Sequence, residues 1–229
     1  MNNLRWTRKR LAAIGLLILL VIAGIAWAAW ALRPVDYLAS GGQTKTFEID
    51  CSFDRFRQIM VRKNATAAII AQSGMTLLDE KVEGLQIDAR GDDRPLRNAL
   101  RGRSKANVSS AKEISVRLDD PALQADSLVL RQQADIQPDE FHVVTRSTAP
   151  AGNLEDYETT LTARPAGEKT QIDLSVAMKV HVRLPWAFTN RADVGVQQAA
   201  DRAIADQATS IATFVDQFAG DLLILPELK

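Results

Sequence analysis

The sequence predicts an α+β protein in which an antiparallel β-sheet packs against one long C-terminal helix, preceded by one transmembrane helix. Three observations support this fold class. Residues 11–32 carry no charge, residues 75–183 consist mostly of strand-like stretches between turn residues, and one apolar stripe repeats over residues 187–219. The length of 229 residues suits a membrane segment and one domain of ordinary size.

The segment 11–32 is long enough to cross a bilayer. Its 22 residues would form about 33 Å of helix, against a hydrocarbon core of roughly 30 Å. Four basic residues precede it, Arg5, Arg8, Lys9 and Arg10, and Arg33 alone follows closely. We therefore expect residues 1–10 to be cytoplasmic and the domain to be extracytoplasmic, which is periplasmic in a bacterium. The alternative is a cleaved signal peptide, but the apolar run continues past the small-x-small site at 26–28.

Composition argues against two kinds of site. From Arg33 onward the chain has 24 basic and 28 acidic residues, a net charge of −4. An acidic domain is poorly suited to neutralising phosphates, so we expect no nucleic-acid partner. One cysteine, Cys51, and two histidines, His142 and His181, cannot form a zinc cluster without carboxylates. We therefore predict no metal and no other cofactor.

The domain is predicted to begin with a strand and two short helices. Residues 33–43, which include Gly41 and Gly42, are interpreted as a linker. The stretch 44–51 alternates apolar and charged residues, as a half-buried strand does. The spacing of Phe53, Phe56, Ile59 and Met60 predicts a helix after Ser52, and a second short helix is predicted near 65–72.

Six further strands and the long helix complete the domain, which we expect to span residues 44–220, with 221–229 as a tail. The predicted strands are Met75–Ile87, Lys105–Leu118, Ser127–Ile136, Phe141–Ser147, Asp156–Arg164 and Thr170–Arg183. The last has the clearest alternation, which is typical of a strand with one buried face. In the helix the stripe consists of Val196, Ala200, Ile204, Ala208, Ile211, Val215 and Phe218.

Three segments carry a resemblance to a known family. They are TKTFEIDCSFDRFRQIM at 44–60, EDYETTLTARPAGEKTQIDLSVAMKV at 155–180 and VRLPWAFTNRADVGVQQAADRAI at 182–204. Together they resemble the START-like, polyketide-cyclase-like (SRPBCC) domains. The resemblance implies a helix-grip fold, in which a curved antiparallel sheet wraps around the C-terminal helix. It also implies a cavity for an apolar ligand between the sheet and that helix.

On this resemblance, the residues expected to line the cavity are Leu174, Val176, Met178, Val180, Ile204, Ala208 and Ile211. The sequence shows no nucleophile–base signature, so no catalytic residue is assigned and a non-enzymatic domain is predicted. The expected function is binding of an apolar small molecule or lipid beside the bilayer. The alternative is a structural or protein-interaction domain with a filled core. A basic cluster, Arg94, Arg97, Arg101, Arg103 and Lys105, is a candidate contact with anionic lipid head groups.

Overall fold

The computed structural model describes residues 19–62, 65–72, 75–88, 107–118 and 124–220. Residues 19–31 form helix α1. The elements that follow are β1 (Pro34–Ile49), α2 (Phe53–Arg62), α3 (Ala65–Gln72), β2 (Thr76–Asp88), β3 (Asn107–Arg117), β4 (Ser127–Ile136), β5 (Phe141–Ser147), β6 (Leu154–Ala166), β7 (Lys169–Pro185), a 3-10 turn (Trp186–Phe188) and α4 (Thr189–Ala219). The predicted bounds of β4 and β5 are confirmed.

These seven strands form one antiparallel sheet in the order β1-β7-β6-β5-β4-β3-β2. Each neighbouring pair from β2 to β7 is consecutive in sequence. Helices α2 and α3 connect β1, at one edge of the sheet, to β2, at the other edge. Helix α4 contacts β1 and β7. An antiparallel sheet packed against one long C-terminal helix is the architecture of the helix-grip fold. The predicted α+β fold class is therefore confirmed for the domain.

The predicted linker over residues 33–43 is wrong, because strand β1 already begins at Pro34. It pairs with β7 along its whole length, from Pro34 opposite Pro185 to Ile49 opposite Thr170. Helix α4 packs on this part of β1 and forms hydrogen bonds with its backbone. Gln197 Nε2 donates to the carbonyl oxygen of Gly42 at 2.9 Å, and the Gly42 amide donates to Gln197 Oε1 at 3.1 Å. The glycines are therefore part of the sheet.

Gly41 allows the helix and the strand to approach closely. A Cβ atom added to Gly41 would lie 2.6 Å from the backbone nitrogen of Gln197 and 2.7 Å from the backbone carbonyl carbon of Val196. Only glycine fits at such a distance without moving the backbone. Nearby, Asp193 accepts hydrogen bonds from the Tyr37 hydroxyl at 2.7 Å and from the Ser40 amide at 3.2 Å. These contacts fix β1 beneath the first half of α4.

The main core lies between α4, α2 and the middle of the sheet. Phe56, Ile59 and Phe214 are at most 2 % exposed and belong to one apolar cluster with residues of β6 and β7. The stripe predicted for α4 is buried at Val196, Ala200, Ile204, Ala208, Ile211 and Val215. Small residues in the middle of the stripe let the helix pack directly on the strands, which removes apolar surface from water and leaves little space.

Helix α1 differs from the domain helices because its apolar side chains are exposed. The exposed fraction is 65 % for Leu19, 61 % for Ile22 and 64 % for Ile25. Residues 11–18 of the predicted span, like residues 1–10, lie outside the described residues. Within the described ranges, no helix has the length and hydropathy of a membrane span.

Candidate functional site

A cavity of about 280 Å³ lies between helix α3 and the part of the sheet that α4 leaves uncovered. Its roof comes from the end of α2 and from α3, and its floor comes from strands β3 to β6. Leu85 of β2 and Val61 of α2, which are 61 % and 57 % exposed, stand at its rim. The apolar wall consists mainly of Met60, Ile69, Ile70, Met75, Val108, Ile114, Leu130, Ile136, Phe141, Val143 and Leu161. Most of the site is therefore suited to an apolar ligand.

Strand pairing brings four polar residues into one row across the cavity floor. Lys112 is paired with Gln132, Gln132 with Thr145, and Thr145 with Thr159, so each of β3, β4, β5 and β6 contributes one side chain. All four line the cavity. We call these residues the polar row. On either side of it the wall residues at the next inward positions are mainly apolar, since side chains alternate between the faces of a strand.

Hydrogen bonds connect the polar row to helix α3 and strand β2. Lys112 Nζ donates to Thr66 Oγ1 at 2.6 Å and to Glu80 Oε1 at 2.6 Å. Thr66 Oγ1 donates to Gln132 Oε1 at 3.1 Å, and Gln132 Nε2 donates to Thr145 Oγ1 at 3.1 Å. Lys112 and Glu80 form an ion pair with side chains only 18 % and 21 % exposed. The lysine charge is therefore compensated next to the cavity.

A second polar pair stands at the side of the cavity nearest α4. Gln207 Nε2 donates to the Tyr157 hydroxyl oxygen at 2.9 Å, and both residues line the site. Burial raises the pKa of Tyr157 to about 12, although the hydrogen bond from Gln207 acts in the opposite direction. The phenol is therefore protonated at neutral pH and retains an O–H that can donate to a ligand.

The predicted lining residues are divided between the cavity and the core. Leu174 and Ile211 line the cavity. Val176, Val180, Ile204 and Ala208 are at most 8 % exposed and lie in the packed core, and Met178 is partly buried against it. The cause is the alanine stripe of α4, which allows contact with β1 and β7 where the prediction placed a space. The cavity lies further across the sheet, beneath α3.

Other candidates from the sequence lie away from this site. The basic cluster from Arg94 to Lys105 falls outside the described residues. His142 Nδ1 lies 2.9 Å from Thr162 Oγ1, and His181 lies 3.4 Å from Glu155, both outside the cavity lining. Cys51 is buried, and this burial raises the pKa of its thiol. In the part of the chain that the structure describes, no three His, Cys, Asp or Glu side chains are grouped as metal ligands.

The polar row was not predicted from the sequence, although a signal for it is present. In β3, β4 and β5 the inward positions alternate with outward ones, and a polar residue interrupts each inward series at Lys112, Gln132 and Thr145. Each interruption alone resembles an ordinary irregularity in a strand. Only the strand register shows that the polar residues lie side by side.

Several solved structures are similar to this chain over more than three quarters of its length. A protein from Thermus thermophilus is 11% identical with a TM-score of 0.49, and the match covers 78% of this chain and 99% of that one. An aromatase/cyclase from Streptomyces sp. R1128 is 11% identical with a TM-score of 0.46, over 78% and 95%. A START superfamily protein from Mycobacterium smegmatis is 17% identical with a TM-score of 0.44, over 77% and 98%.

The helix-grip architecture implied by the sequence resemblance is confirmed by the strand order and the position of the long helix. No protein-family model matches the chain, and the comparison with curated proteins gives no match. The prediction of a non-enzymatic domain does not stand, since aromatase/cyclases are among the solved structures that match this chain. The fold contains enzymes as well as binding proteins, so a missing sequence signature for catalysis does not exclude an activity.

Proposed function

We propose that this protein binds an apolar small molecule or a single lipid chain in the cavity beneath α3. The observation that carries the proposal is the cavity itself, with a volume of about 280 Å³ and a mainly aliphatic and aromatic wall. Ligand pockets in proteins usually measure roughly 300–1,000 Å³, so this one suits a ligand at the small end of the range. The alternative, a structural domain with a filled core, requires a packed interior at this place.

The substitution Ala134→Trp tests the proposal. Ala134 lines the floor of the cavity between Ser110 and Val143 on the neighbouring strands. An indole at this position would fill much of the space that a ligand needs. We expect a ten-carbon alkyl diazirine to photolabel the peptides of β3 to β5 in the full chain, and we expect Ala134→Trp to reduce this labelling at least fivefold. Peptide mass spectrometry locates the adducts.

The matched control is Ala177→Trp, because Ala177 is exposed on the opposite face of the sheet. Labelling of β3 to β5 in this control should equal that of the unchanged chain. Adducts confined to helix α1 in the unchanged chain would contradict the proposal, since the probe would then enter the detergent or the apolar helix and not the cavity.

We also propose that residues 11–32 anchor the protein in a bilayer with the domain on the extracytoplasmic side. Support comes from the charge asymmetry around the segment and from the exposure of the apolar side chains of α1. Trp30 of α1 packs against Trp186 with ring centroids 4.8 Å apart, and both residues are about half exposed. Tryptophan is favoured at the interface between hydrocarbon and water. The end of the domain that carries Trp186 would then face the membrane surface.

Reporter fusions in a bacterial host test this topology. Alkaline phosphatase fused after Lys229 should be active. Green fluorescent protein fused at the same position should be non-fluorescent, because it would be exported from the cytoplasm. The membrane fraction should retain the fusion after carbonate extraction. Fluorescence together with inactive phosphatase would contradict the proposed orientation. A released product that starts near residue 29 would show a cleaved signal peptide and overturn the anchor.

A further inference from the structure

The polar row distinguishes this cavity from a purely apolar pocket. Polar side chains that face an apolar cavity lose their water contacts, which costs free energy unless a partner replaces the water. Thr66, Lys112, Gln132 and Thr145 satisfy part of this requirement through the hydrogen bonds described above. The hydrogen-bonding capacity that remains indicates which ligand group would complete the row.

The remaining capacity includes several donor protons beside the unused lone pairs of the hydroxyl and amide oxygens. The two hydrogen bonds of Lys112 Nζ use two of its three protons. Gln132 Nε2 has two protons and donates one of them to Thr145 Oγ1, so one remains. Because Thr145 Oγ1 is the acceptor in this bond, the Thr145 hydroxyl proton also remains. Thr159, opposite Thr145 on the next strand, adds one more hydroxyl proton to the row. The Tyr157 hydroxyl accepts from Gln207 and also retains its proton.

The described lining of the cavity carries no uncompensated charge that a ligand would have to neutralise. Lys112 is the one cation among the described cavity-lining residues, and its partner Glu80 lies 2.6 Å away. A carboxylate ligand that approached Lys112 would also be repelled by Glu80 behind it. A neutral oxygen acceptor avoids this conflict and accepts hydrogen bonds from the amide and hydroxyl donors. A carbonyl oxygen has two lone pairs and therefore accepts from two of these donors at once.

On this basis we propose that the polar row selects ligands in which an apolar chain or ring carries a neutral carbonyl group, such as a ketone or an ester. Gln132 and Thr145, in the middle of the row, donate to the carbonyl oxygen, while the aliphatic wall surrounds the rest of the molecule. The proposal rests on the proposed function, since it requires that a ligand enters the cavity at all. It adds the chemical class of that ligand and the residues that determine it.

Competition between matched ten-carbon probes tests the selection. Decan-2-one, decane and decanoate each compete with the alkyl diazirine for the cavity of the full chain. We expect decan-2-one to compete about tenfold better than decane in the unchanged protein, and decanoate to show no advantage over decan-2-one. In Gln132→Leu and Thr145→Val the advantage of the ketone should fall to about twofold. Partition of the probes into detergent cancels, because each comparison is a ratio between variants in the same micelles.

The control is Gln133→Leu, which changes the neighbouring residue on the outer face of the same strand, where Gln133 is exposed. It should keep the tenfold advantage. Thr145→Val retains the shape of the side chain, so it tests the hydroxyl even where Gln132→Leu impairs folding.

Two results would overturn the selection by the polar row. The first is an equal ketone advantage in Thr145→Val and in the unchanged chain, with decane still competing for the cavity. The second is tighter competition by decanoate than by decan-2-one, which would point to an acid-binding site. In both cases the cavity still binds a ligand. Failure of the proposed function itself would differ, because then no probe would protect the cavity peptides from labelling.

Discussion

Gly41→Val is expected to destabilise the domain by about 3 kcal/mol, because the new side chain would occupy space that the backbone of α4 already fills. The first added carbon alone would lie 2.6 Å from the Gln197 nitrogen. The atoms that it meets belong to the backbone of a helix that is fixed by Asp193 and Gln197, so they cannot rotate away as a flexible side chain would. The helix would have to separate from β1, which exposes part of the core.

Urea denaturation of the full chain in a mild detergent, followed by circular dichroism, measures this loss as a lower midpoint at unchanged slope. Gly84→Val is the control. A Cβ atom at Gly84 meets nothing within 4 Å, and valine is favoured in strands. Its free energy of unfolding should stay within about 0.5 kcal/mol of the unchanged chain. Equal midpoints for the two variants would show that β1 does not lie against α4 as described.

The second large effect is expected for Phe214→Ala, at about 3–5 kcal/mol. Phe214 is 2 % exposed, belongs to the main core and lies 5.1 Å, centroid to centroid, from the ring of Phe218. Truncation removes the buried ring and leaves a space that the surrounding strands cannot fill. The reason is the dense packing that the alanine stripe of α4 makes possible.

The same urea experiment measures the loss for Phe214→Ala. Val194→Ala, on the same helix, is the control because Val194 is 56 % exposed. That substitution should change the free energy of unfolding by less than about 0.5 kcal/mol. A loss below about 1 kcal/mol at Phe214 would mean that α4 is loosely packed, and the distinction between a filled core under α4 and an open cavity under α3 would then fail.

The sequence predicted most of the sheet because alternation is a local property. Strand β7 alternates apolar and polar residues over most of its length, and the stripe of α4 continues over most of its 31 residues, so both elements are visible without any knowledge of the fold. Strand β1 was underestimated for the opposite reason. Ser40, Gly41 and Gly42 are residues typical of a loop, and only the partner strand β7 and the close contact with α4 explain why they extend the sheet.

The position of the cavity could not be predicted from periodicity. Whether an apolar face is covered tightly or left open depends on how far each helix reaches across the sheet. Helix α4 covers β1 and β7 closely because Ala200 and Ala208 are small. Lys112, Gln132 and Thr145 lie on the other part of the sheet, where they face the cavity beneath α3. Their meeting depends on the register of separate strands, which the sequence alone does not give.

The central claim is that an apolar ligand occupies the cavity beneath α3. The most direct test of this claim is to measure nuclear Overhauser contacts between non-deuterated decan-2-one and the methyl-labelled full chain in deuterated detergent. We predict contacts from the probe to the methyl groups of Val108, Val143 and Leu161, which line the cavity. Contacts confined to the exposed methyl groups of helix α1 would contradict the claim.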